Sequence, residues 1–254
     1  MSRVQLWSSG GGTQSAAIAV LILQGKLPKP DFAVIVDTER EKSATWRYMD
    51  EYTQPALSKI GVQVSRIRKS TYGAPDLYDR KNEKLLIPAY NTKLGTLEKL
   101  PTWCSTEWKR DVARRWANRQ SPGPFRVWMG MSYDEPRRIK PTIGKFEPWY
   151  PLYEMRIRRS DCVNLVREYG WPEPPKSACW MCPNHRAEDW ARIAKENPEE
   201  LLKAVVFEEE LRERDDSLYL HEFGVPLAQA VLTPLPENRK LFDTERCDSG
   251  HCFV

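Results

Sequence analysis

The cysteines are the residues of this chain whose spacing points most directly to chemistry. Cys179 and Cys182 form a C-x-x-C pair in KSACWMCPNH, and a turn with this spacing allows two thiolates to bind one metal ion or one cluster. Cys104 lies just before a predicted helix, whose N-terminus favours a thiolate ligand. Cys162 lies in an apolar helical segment and is predicted to be a core cysteine. Cys104, Cys179 and Cys182 are therefore predicted metal ligands.

A glycine-rich turn near the N-terminus separates a short apolar segment from a fully apolar run. Glycines allow the backbone to approach a ligand closely, and free N–H groups at the start of a helix point at an anion. A Walker A loop does not fit because no lysine follows, and a dinucleotide fingerprint does not fit because position 15 is serine rather than glycine. The predicted phosphate-binding residues are Ser8, Ser9, Gly10, Gly11, Gly12, Thr13, Gln14 and Ser15. A glycine turn with a structural role alone is the alternative.

Polar residues also lie at the ends of two further predicted strands, over residues 32–36 and 126–131. Ligands of open α/β sheets bind at the carboxyl ends of strands, and guanidinium groups match phosphate or sulfate. The candidate nucleotide-binding residues in these segments are Asp37, Thr38, Gly130, Asp134, Arg137 and Arg138. The alternatives are a helix cap for Asp37 and ordinary surface charge for the arginines.

Four segments carry a resemblance to a known family. SSGGGTQS resembles the PP-loop, S-G-G-x-D-S, of the adenine-nucleotide alpha-hydrolase-like superfamily, with Gln14 in place of the acid and Gly10 in place of the first serine. VIVDTEREKSATWRYMDEY resembles the F-x-D-T-G-x-E-x-x-x-T segment of phosphoadenosine phosphosulfate (PAPS) reductase-like proteins. GMSYDEPRRIKP resembles their G-I-R-x-D-E-S-x-x-R segment, and WCSTEWKRD resembles their cysteine–lysine helix. The chain therefore resembles a PAPS reductase-like PP-loop protein of the kind found in phage and mobile elements.

The resemblance implies an adenine nucleotide across the switch point of the sheet. The nucleotide would be ATP, PAPS or its unphosphorylated relative APS, and Mg²⁺ is a candidate metal cofactor. The loop from Ser9 to Ser15 would hold the phosphates, and Asp37 and Thr38 would lie near the adenosine or its leaving group. Arg137 and Arg138 would supply positive charge to a phosphate or sulfate.

The resemblance also implies a 4Fe–4S cluster on Cys104 and the C-x-x-C pair. The family has two adjacent cysteines where this chain has Trp103 and Cys104, so one ligand is missing. Cys247 is the predicted fourth ligand, Cys162 and Cys252 are alternatives, and an open iron that binds sulfide is a further one. Zinc is the rival metal because four cysteines suit it equally well.

The C-terminal segment ERCDSGHCFV resembles the E-C-G-x-H segment of sulfonucleotide reductases, whose cysteine attacks the sulfur of the substrate. Cys247, His251 and Cys252 are accordingly the predicted catalytic residues, since a cysteine beside a histidine can be an activated nucleophile. A metal ligand or a loose chain end is the alternative reading.

Strand and helix signals alternate through the first half of the chain. Strands are predicted over residues 4–7, 32–36 and 62–67, and helices over 13–24 and 44–60, the latter interrupted at Pro55. This order predicts an α/β fold with a Rossmann-like, doubly wound, mostly parallel sheet and a helical C-terminal part. The predicted domains are a PP-loop nucleotide-binding domain over 1–150 and a helical cysteine-containing subdomain with a tail over 151–254. A helix starting at Asn197 is predicted to present Glu208–Glu210 to solvent.

The charge is distributed unevenly. Residues 1–160 contain 28 Lys and Arg against 16 Asp and Glu, a net charge of +12, while residues 161–254 contain 11 against 19, a net charge of −8. The basic part suits a phosphate ligand or nucleic acid, with ordinary surface charge as the alternative. The longest apolar run, residues 16–23, is too short to span a bilayer. The N-terminal segment that contains it does not have the layout of a signal peptide. We therefore predict a cytoplasmic protein with no membrane partner.

Three functions are consistent with these patterns. The first is a sulfonucleotide reductase-like enzyme with an iron–sulfur cluster and a thioredoxin-like reductant as partner. The second is a PP-loop enzyme that uses ATP to adenylate a nucleic-acid base and then installs sulfur there. The third is a nucleotide- or nucleic-acid-binding module with a structural zinc ion and no catalysis.

Overall fold

The computed structural model describes residues 3–79 and 81–232. The strands, β1 to β8 in chain order, are Val4–Ser9, Phe32–Asp37, Val64–Arg68, Tyr90–Asn91, Glu98–Lys99, Phe125–Trp128, Phe146–Trp149 and Leu218–Tyr219. The α-helices, α1 to α9, are Thr13–Leu23, Ser43–Tyr48, Gln54–Ser58, Asp111–Gln120, Pro151–Glu154, Arg159–Glu168, Ala187–Glu196, Pro198–Arg214 and Leu227–Leu232. Within the described ranges, no helix is long and apolar enough to cross a membrane.

The described chain divides into two compact units. The first unit comprises residues 3–74 and 106–177, and the second comprises residues 75–105 and 178–232. This division differs from the boundary predicted at residue 150. The reason is that α6, which lies beyond that boundary, packs against α1 and contributes Cys162 and Val166 to the core of the first unit.

The first unit is built on a five-stranded sheet in the order β3-β2-β1-β6-β7. Each neighbouring pair is parallel, with Leu6 opposite Phe32 on one side of β1 and opposite Val127 on the other. The chain builds outward from β1 to β3 and then returns to the other side of β1, so β1 and β6 form a topological switch point. The predicted α/β fold with a parallel sheet is thereby confirmed.

Helix α1 lies at the centre of the first unit's core. Its residues Ala16 to Ile22 are all buried, as expected for a helix that is apolar on every face. Gly25 ends it with a φ of +70°, the left-handed conformation that closes many helices. Because packing immobilises this helix, its N-terminus is held firmly at the carboxyl end of β1.

The helix predicted over residues 44–60 is interrupted, although not by a sharp break. Two short helices, α2 and α3, are joined by a π-helical turn over Met49–Thr53. This turn directly precedes Pro55, which has no backbone N–H to donate to the preceding turn. The wider π turn accommodates that missing hydrogen bond while the chain continues in one direction.

The second unit contains a three-stranded antiparallel sheet, in the order β5-β4-β8, and helices α7, α8 and α9. The predicted helix start at Asn197 is confirmed by α8, but one expectation for this helix is wrong. Glu208 is predicted on a solvated face, yet it is only 2% exposed and accepts the backbone N–H groups of Leu220 (2.7 Å) and Leu227 (2.5 Å). Asn197 occupies the N-cap position but makes no capping hydrogen bond with its side chain.

Candidate functional site

A cleft opens in the first unit at the carboxyl ends of β1, β2 and β6. Ligands of open α/β sheets bind at such a switch point, because the loops that leave the two central strands diverge there. The described residues that line the cleft are Ser8, Ser9, Gly10, Gly12, Gln14, Ser15, Ile35, Val36, Glu41, Lys109, Met129, Gly130 and Met131. The glycine loop and Gly130, which the sequence analysis selected from separate motifs, therefore share one concave surface.

Two glycines of the loop lie where a side chain would crowd its neighbours. Gly11 has a φ of +72°, and a Cβ atom there would lie 2.8 Å from Thr45 Cγ2 and 3.0 Å from Ile35 Cδ1. A Cβ atom on Gly12 would lie 3.2 Å from Ser177 Cβ. Conformation and space both require glycine at position 11, whereas position 12 is tightly packed against Ser177.

The N-terminus of α1 has no described side chain as its cap. Its N-cap residue is Gly12, and its first turn contains no acidic residue. The loop is held instead by hydroxyl groups: the Gly10 N–H donates to Ser15 Oγ (2.8 Å) and the Gly11 N–H donates to Ser9 Oγ (3.3 Å). A helix N-terminus carries a partial positive charge, and its first N–H groups can bind phosphate oxygens. The loop can therefore receive an anion.

Ser177 holds the glycine loop through a contact distant in sequence. Its hydroxyl donates to the carbonyl oxygen of Gly10 (2.6 Å) and lies 3.0 Å from Glu41 Oε1. The same Glu41 oxygen accepts the hydroxyl of Thr45 (3.1 Å). The other Glu41 oxygen lies 3.9 Å from Lys109 Nζ, and the two side chains are 4% and 16% exposed. The cleft thus combines a helix N-terminus with an ammonium group, and both attract phosphate.

Gln14 stands where the PP-loop motif has an acid, and its contacts give a physical reason for the amide. Its Nε2 donates to Glu135 Oε2 (3.2 Å), an oxygen that also accepts the backbone N–H and the hydroxyl of Ser132. An acid at position 14 would place two like charges side by side. Gly130 makes this approach possible, because a Cβ atom there would lie 3.3 Å from Gln14 Cβ.

Asp37 and Thr38 are buried at the end of β2 and are not among the described residues that line the cleft. Asp37 Oδ2 accepts two N–H groups of Arg66, at 3.2 and 3.0 Å, and its Oδ1 accepts the Glu39 N–H at 2.7 Å. The Arg66 guanidinium also lies 3.4 Å from the ring centroid of Trp46. These contacts give Asp37 a structural role between β2 and β3, and its contact with a nucleotide stays a prediction.

The charged residues of the turn after β6 are not among the described residues that line the cleft. Asp134 Oδ1 accepts the Arg159 N–H at the start of α6 (3.1 Å). Arg138 forms an ion pair with Glu135 at 2.5 Å, while Arg137 is exposed. Binding of phosphate or sulfate by these arginines stays a prediction.

The predicted metal ligands Cys104, Cys179 and Cys182 all belong to the second unit. Cys182 donates its backbone N–H to the carbonyl oxygen of Cys179 (3.1 Å), so the C-x-x-C pair forms a turn. Burial, followed by the charges of Glu222 and Cys182, raises the pKa of Tyr90 to about 12. Over residues 3–79 and 81–232, no three Cys, His, Asp or Glu side chains group closely enough to hold a metal ion. Binding of a cluster or zinc ion by these cysteines therefore stays a prediction, and the predicted fourth ligand, Cys247, lies outside the described residues.

Cys162 is fully buried in the first unit, which confirms its predicted place in the core. Burial, followed by the charges of Asp134 and Asp161, raises the pKa of its thiol to about 12. The thiol is therefore protonated at neutral pH and is a poor metal ligand. The predicted catalytic residues Cys247, His251 and Cys252 lie outside the described residues.

Four residues at or beside the cleft were not predicted from the sequence. The F-x-D-T-G-x-E-x-x-x-T pattern has its Glu and Thr at the positions of Glu41 and Thr45. The motif could therefore have indicated Glu41. Lys109 lies in the segment that resembles the cysteine–lysine helix, which is a weaker signal. Ser177 had none, because it is 167 positions away from Gly10 along the chain.

Comparisons with known proteins give a remote likeness. No protein-family model matches the chain, and no curated protein sequence matches it. Among solved structures, it is similar to the U34-tRNA thiolase NcsA from Methanococcus maripaludis with its 4Fe–4S cluster. The similarity covers 82% of this chain and 71% of that chain, at 16% sequence identity and a TM-score of 0.45. A similarity this remote gives no information about the ligand or the reaction. Both have to be inferred from the residues of the cleft.

Proposed function

We propose that the chain is a PP-loop enzyme that binds an adenine nucleotide in the cleft at the switch point. The observation that carries this proposal is the position of the glycine loop, which lines the cleft and leads directly into the N-terminus of α1. The first N–H groups of α1 and the ammonium group of Lys109 favour the negative charge of phosphates. Gly11 and Gly12 support the proposal because they bring backbone, rather than side chains, to this position.

The reaction we favour is transfer of an adenylyl group from ATP to an oxygen of a nucleic-acid base. A bond forms between that oxygen and the α-phosphorus, the bond to the bridging oxygen breaks, and pyrophosphate leaves with the electron pair. Mg²⁺ would neutralise charge on the leaving group. The net charge of +12 over residues 1–160 supports a polyanionic acceptor. Displacement of AMP by a sulfide donor would then install sulfur, a step to which we assign no residue.

Two competing functions share the cleft. Reduction of PAPS or APS with a thioredoxin-like reductant depends on Cys247, His251 and Cys252, none of which is described. A binding module without turnover needs no further residues. Both therefore predict nucleotide binding and differ from the favoured function in the reaction alone.

Calorimetric titration with ATP and with PAPS tests the binding step. We expect Lys109→Ala to weaken binding about tenfold, because one charge-assisted contact with phosphate is lost. Lys26→Ala is the matched control, since Lys26 is exposed and does not line the cleft, and it should bind like the wild type. Absence of binding by the folded wild-type protein to either nucleotide would contradict the proposal.

Product assays separate the reactions. Release of pyrophosphate from ATP that depends on added RNA or DNA supports adenylation of a base. Release of sulfite from PAPS, lost in Cys247→Ser, would support reduction instead. Nucleotide binding with neither product would leave the binding module as the function.

The predicted metal is tested by anaerobic purification followed by iron, acid-labile sulfide and zinc analysis. We propose a 4Fe–4S cluster, so iron and sulfide should be present and should fall in Cys179→Ser and Cys182→Ser. Cys162→Ser is the matched control, because its buried thiol is not a proposed ligand, and it should retain both. Stoichiometric zinc in a colourless protein would contradict the cluster.

A further inference from the structure

Beside the cleft, the first unit carries exposed cations interleaved with tyrosines, which we call the tyrosine–arginine surface. Its residues are Tyr133, Arg137, Lys140, Tyr153, Arg156 and Arg158. They come from two segments of the chain, one following β6 and one following β7. A hydrogen bond from the Tyr133 N–H to the Ile157 carbonyl oxygen (2.8 Å) joins the two segments.

The tyrosine–arginine surface lies at the same end of the sheet as the cleft. Its two segments follow β6 and β7, and the segments that follow parallel strands leave the sheet at one edge. Met129, Gly130 and Met131 line the cleft, and Tyr133 comes two residues later in the chain. A polymer bound to this surface would therefore pass beside the cleft.

The cations of the surface project into solvent without a carboxylate partner among the described residues. Most acids of the same two segments have other contacts. Asp134 and Asp161 accept backbone N–H groups at the start of α6 (3.1 and 2.8 Å), and Glu135 pairs with Arg138. Glu154 is the remaining acid and is exposed. Unpaired arginines and lysines of this kind suit phosphates, whose binding releases counterions.

The tyrosines add a second kind of contact. Tyr133 is 37% exposed, although it is a large ring in a folded unit. Its centroid lies 5.3 Å from that of Tyr153, with the ring planes 38° apart. Tyr153 is half-buried, so Tyr133 is the ring that can offer a face to a base. An exposed ring together with cations is the combination that binds single strands, because unpaired bases stack on aromatic faces while the backbone follows the positive charge.

Arg156 has a strained backbone in the middle of this surface. Its φ is +57°, a left-handed conformation that favours glycine over arginine. Hydrogen bonds from the Arg156 N–H to the Tyr153 carbonyl oxygen (3.0 Å) and from the Ile157 N–H to the Leu152 carbonyl oxygen (2.8 Å) hold the turn. An arginine kept where glycine would fit more easily points to a use for its side chain.

We propose that the tyrosine–arginine surface binds single-stranded nucleic acid, with phosphates on its cations and a base on Tyr133. The strand would thereby be presented to the cleft as the acceptor. That role of acceptor rests on the proposed function, whereas binding of the strand does not. Duplexes bind less tightly, since their bases are already stacked and unavailable to the ring.

Fluorescence anisotropy of the full chain with labelled single strands of about 12 nucleotides tests the proposal. The probes are RNA and DNA of one mixed sequence, with the duplex of that sequence for comparison. We expect Tyr133→Ala to weaken single-strand binding about tenfold. Arg156→Gly should reduce the slope of log affinity against log salt concentration by about 0.7. Its thermal stability should not fall, because glycine relieves the strained conformation.

Arg115→Ala is the matched control, since Arg115 is an equally exposed arginine on α4, outside the surface, and it should bind like the wild type. Equal loss in Arg115→Ala, equal affinity for the duplex, or wild-type binding by both surface variants would overturn the proposal. Calorimetric titration with ATP on the same variants keeps the two proposals separate. If the protein binds strands but not ATP, the proposal for the surface stands and the proposed function fails. If it binds ATP but not strands, nucleotide binding stands and the proposal for the surface fails.

Discussion

Glu41 in the first unit and Glu208 in the second unit are both buried carboxylates, but their partners differ in kind. The carboxylate of Glu208 accepts hydrogen bonds from two backbone N–H groups. Glu41 has contacts with the side chains of Ser177, Thr45 and Lys109. Backbone groups can leave a carboxylate only when the fold opens, whereas side chains can reorient toward a ligand. The identity of its partners, rather than its burial, therefore separates a structural carboxylate from one that can serve a cleft.

The largest expected effect tests the structural half of this comparison. Glu208→Ala should lower the free energy of unfolding by about 3 kcal/mol, because two buried N–H groups lose their acceptor. Denaturant unfolding measures the change, and ATP affinity of the folded protein should not alter. Glu209→Ala removes an exposed neighbour and should be neutral. A neutral result for Glu208→Ala would contradict the structural role.

A substitution in the glycine loop should affect both stability and binding. Gly11→Ala combines a left-handed φ with a Cβ position only 2.8 Å from Thr45 Cγ2, and should destabilise the protein by about 2 kcal/mol. We also expect ATP affinity to fall about tenfold, because the loop must shift. Gly25→Ala is the control, with a φ of +70° and no atom within 4 Å. It should show the conformational cost alone, and normal ATP binding. Equal ATP affinity in both variants would contradict the role of the loop.

The pH dependence of stability tests Glu208 in another way. Burial raises the pKa of Glu208 above its ordinary value of 4.5, although its backbone hydrogen bonds oppose the shift. Between 4.5 and the raised pKa, the folded state binds more protons than the unfolded state. Stability should therefore fall as pH rises through this window, by at most about 1.4 kcal/mol per pH unit. Glu208→Gln should remove this slope, as measured by urea unfolding across the window. An identical slope in the variant would show that other groups cause it.

The smallest expected effect concerns the amide in the PP-loop. Gln14→Glu places a carboxylate beside Glu135, so stability should fall by about 1 kcal/mol at neutral pH. In a Glu135→Gln background, Gln14→Glu should cause no such loss, because the repulsion is absent. A double-mutant cycle from urea unfolding measures the coupling, and a coupling energy of zero would contradict the contact.

Much of the first unit could be predicted from local patterns. The helix predicted over residues 13–24 and the strands predicted over residues 4–7, 32–36 and 62–67 correspond to α1 and to β1, β2 and β3, and their alternation predicted the parallel sheet. The glycine loop was predicted as an anion site because glycines followed a strand and preceded a helix. Charged residues were harder to predict, since Glu208 was expected to face solvent and the pairing of Asp37 with Arg66 was not foreseen.

The sequence by itself determined where strands, helices and tight turns form, because those depend on the periodicity of neighbouring residues and on the conformational freedom of individual glycines. Only the tertiary structure decided which polar groups meet. Ser177 reaches Gly10 across 167 positions, and Gln14 reaches Glu135 across 121. Such contacts arise from how helices and loops pack on the sheet, and no local spacing encodes them. Local sequence therefore determined the glycine turn of the cleft, and tertiary packing determined the hydrogen bonds around it.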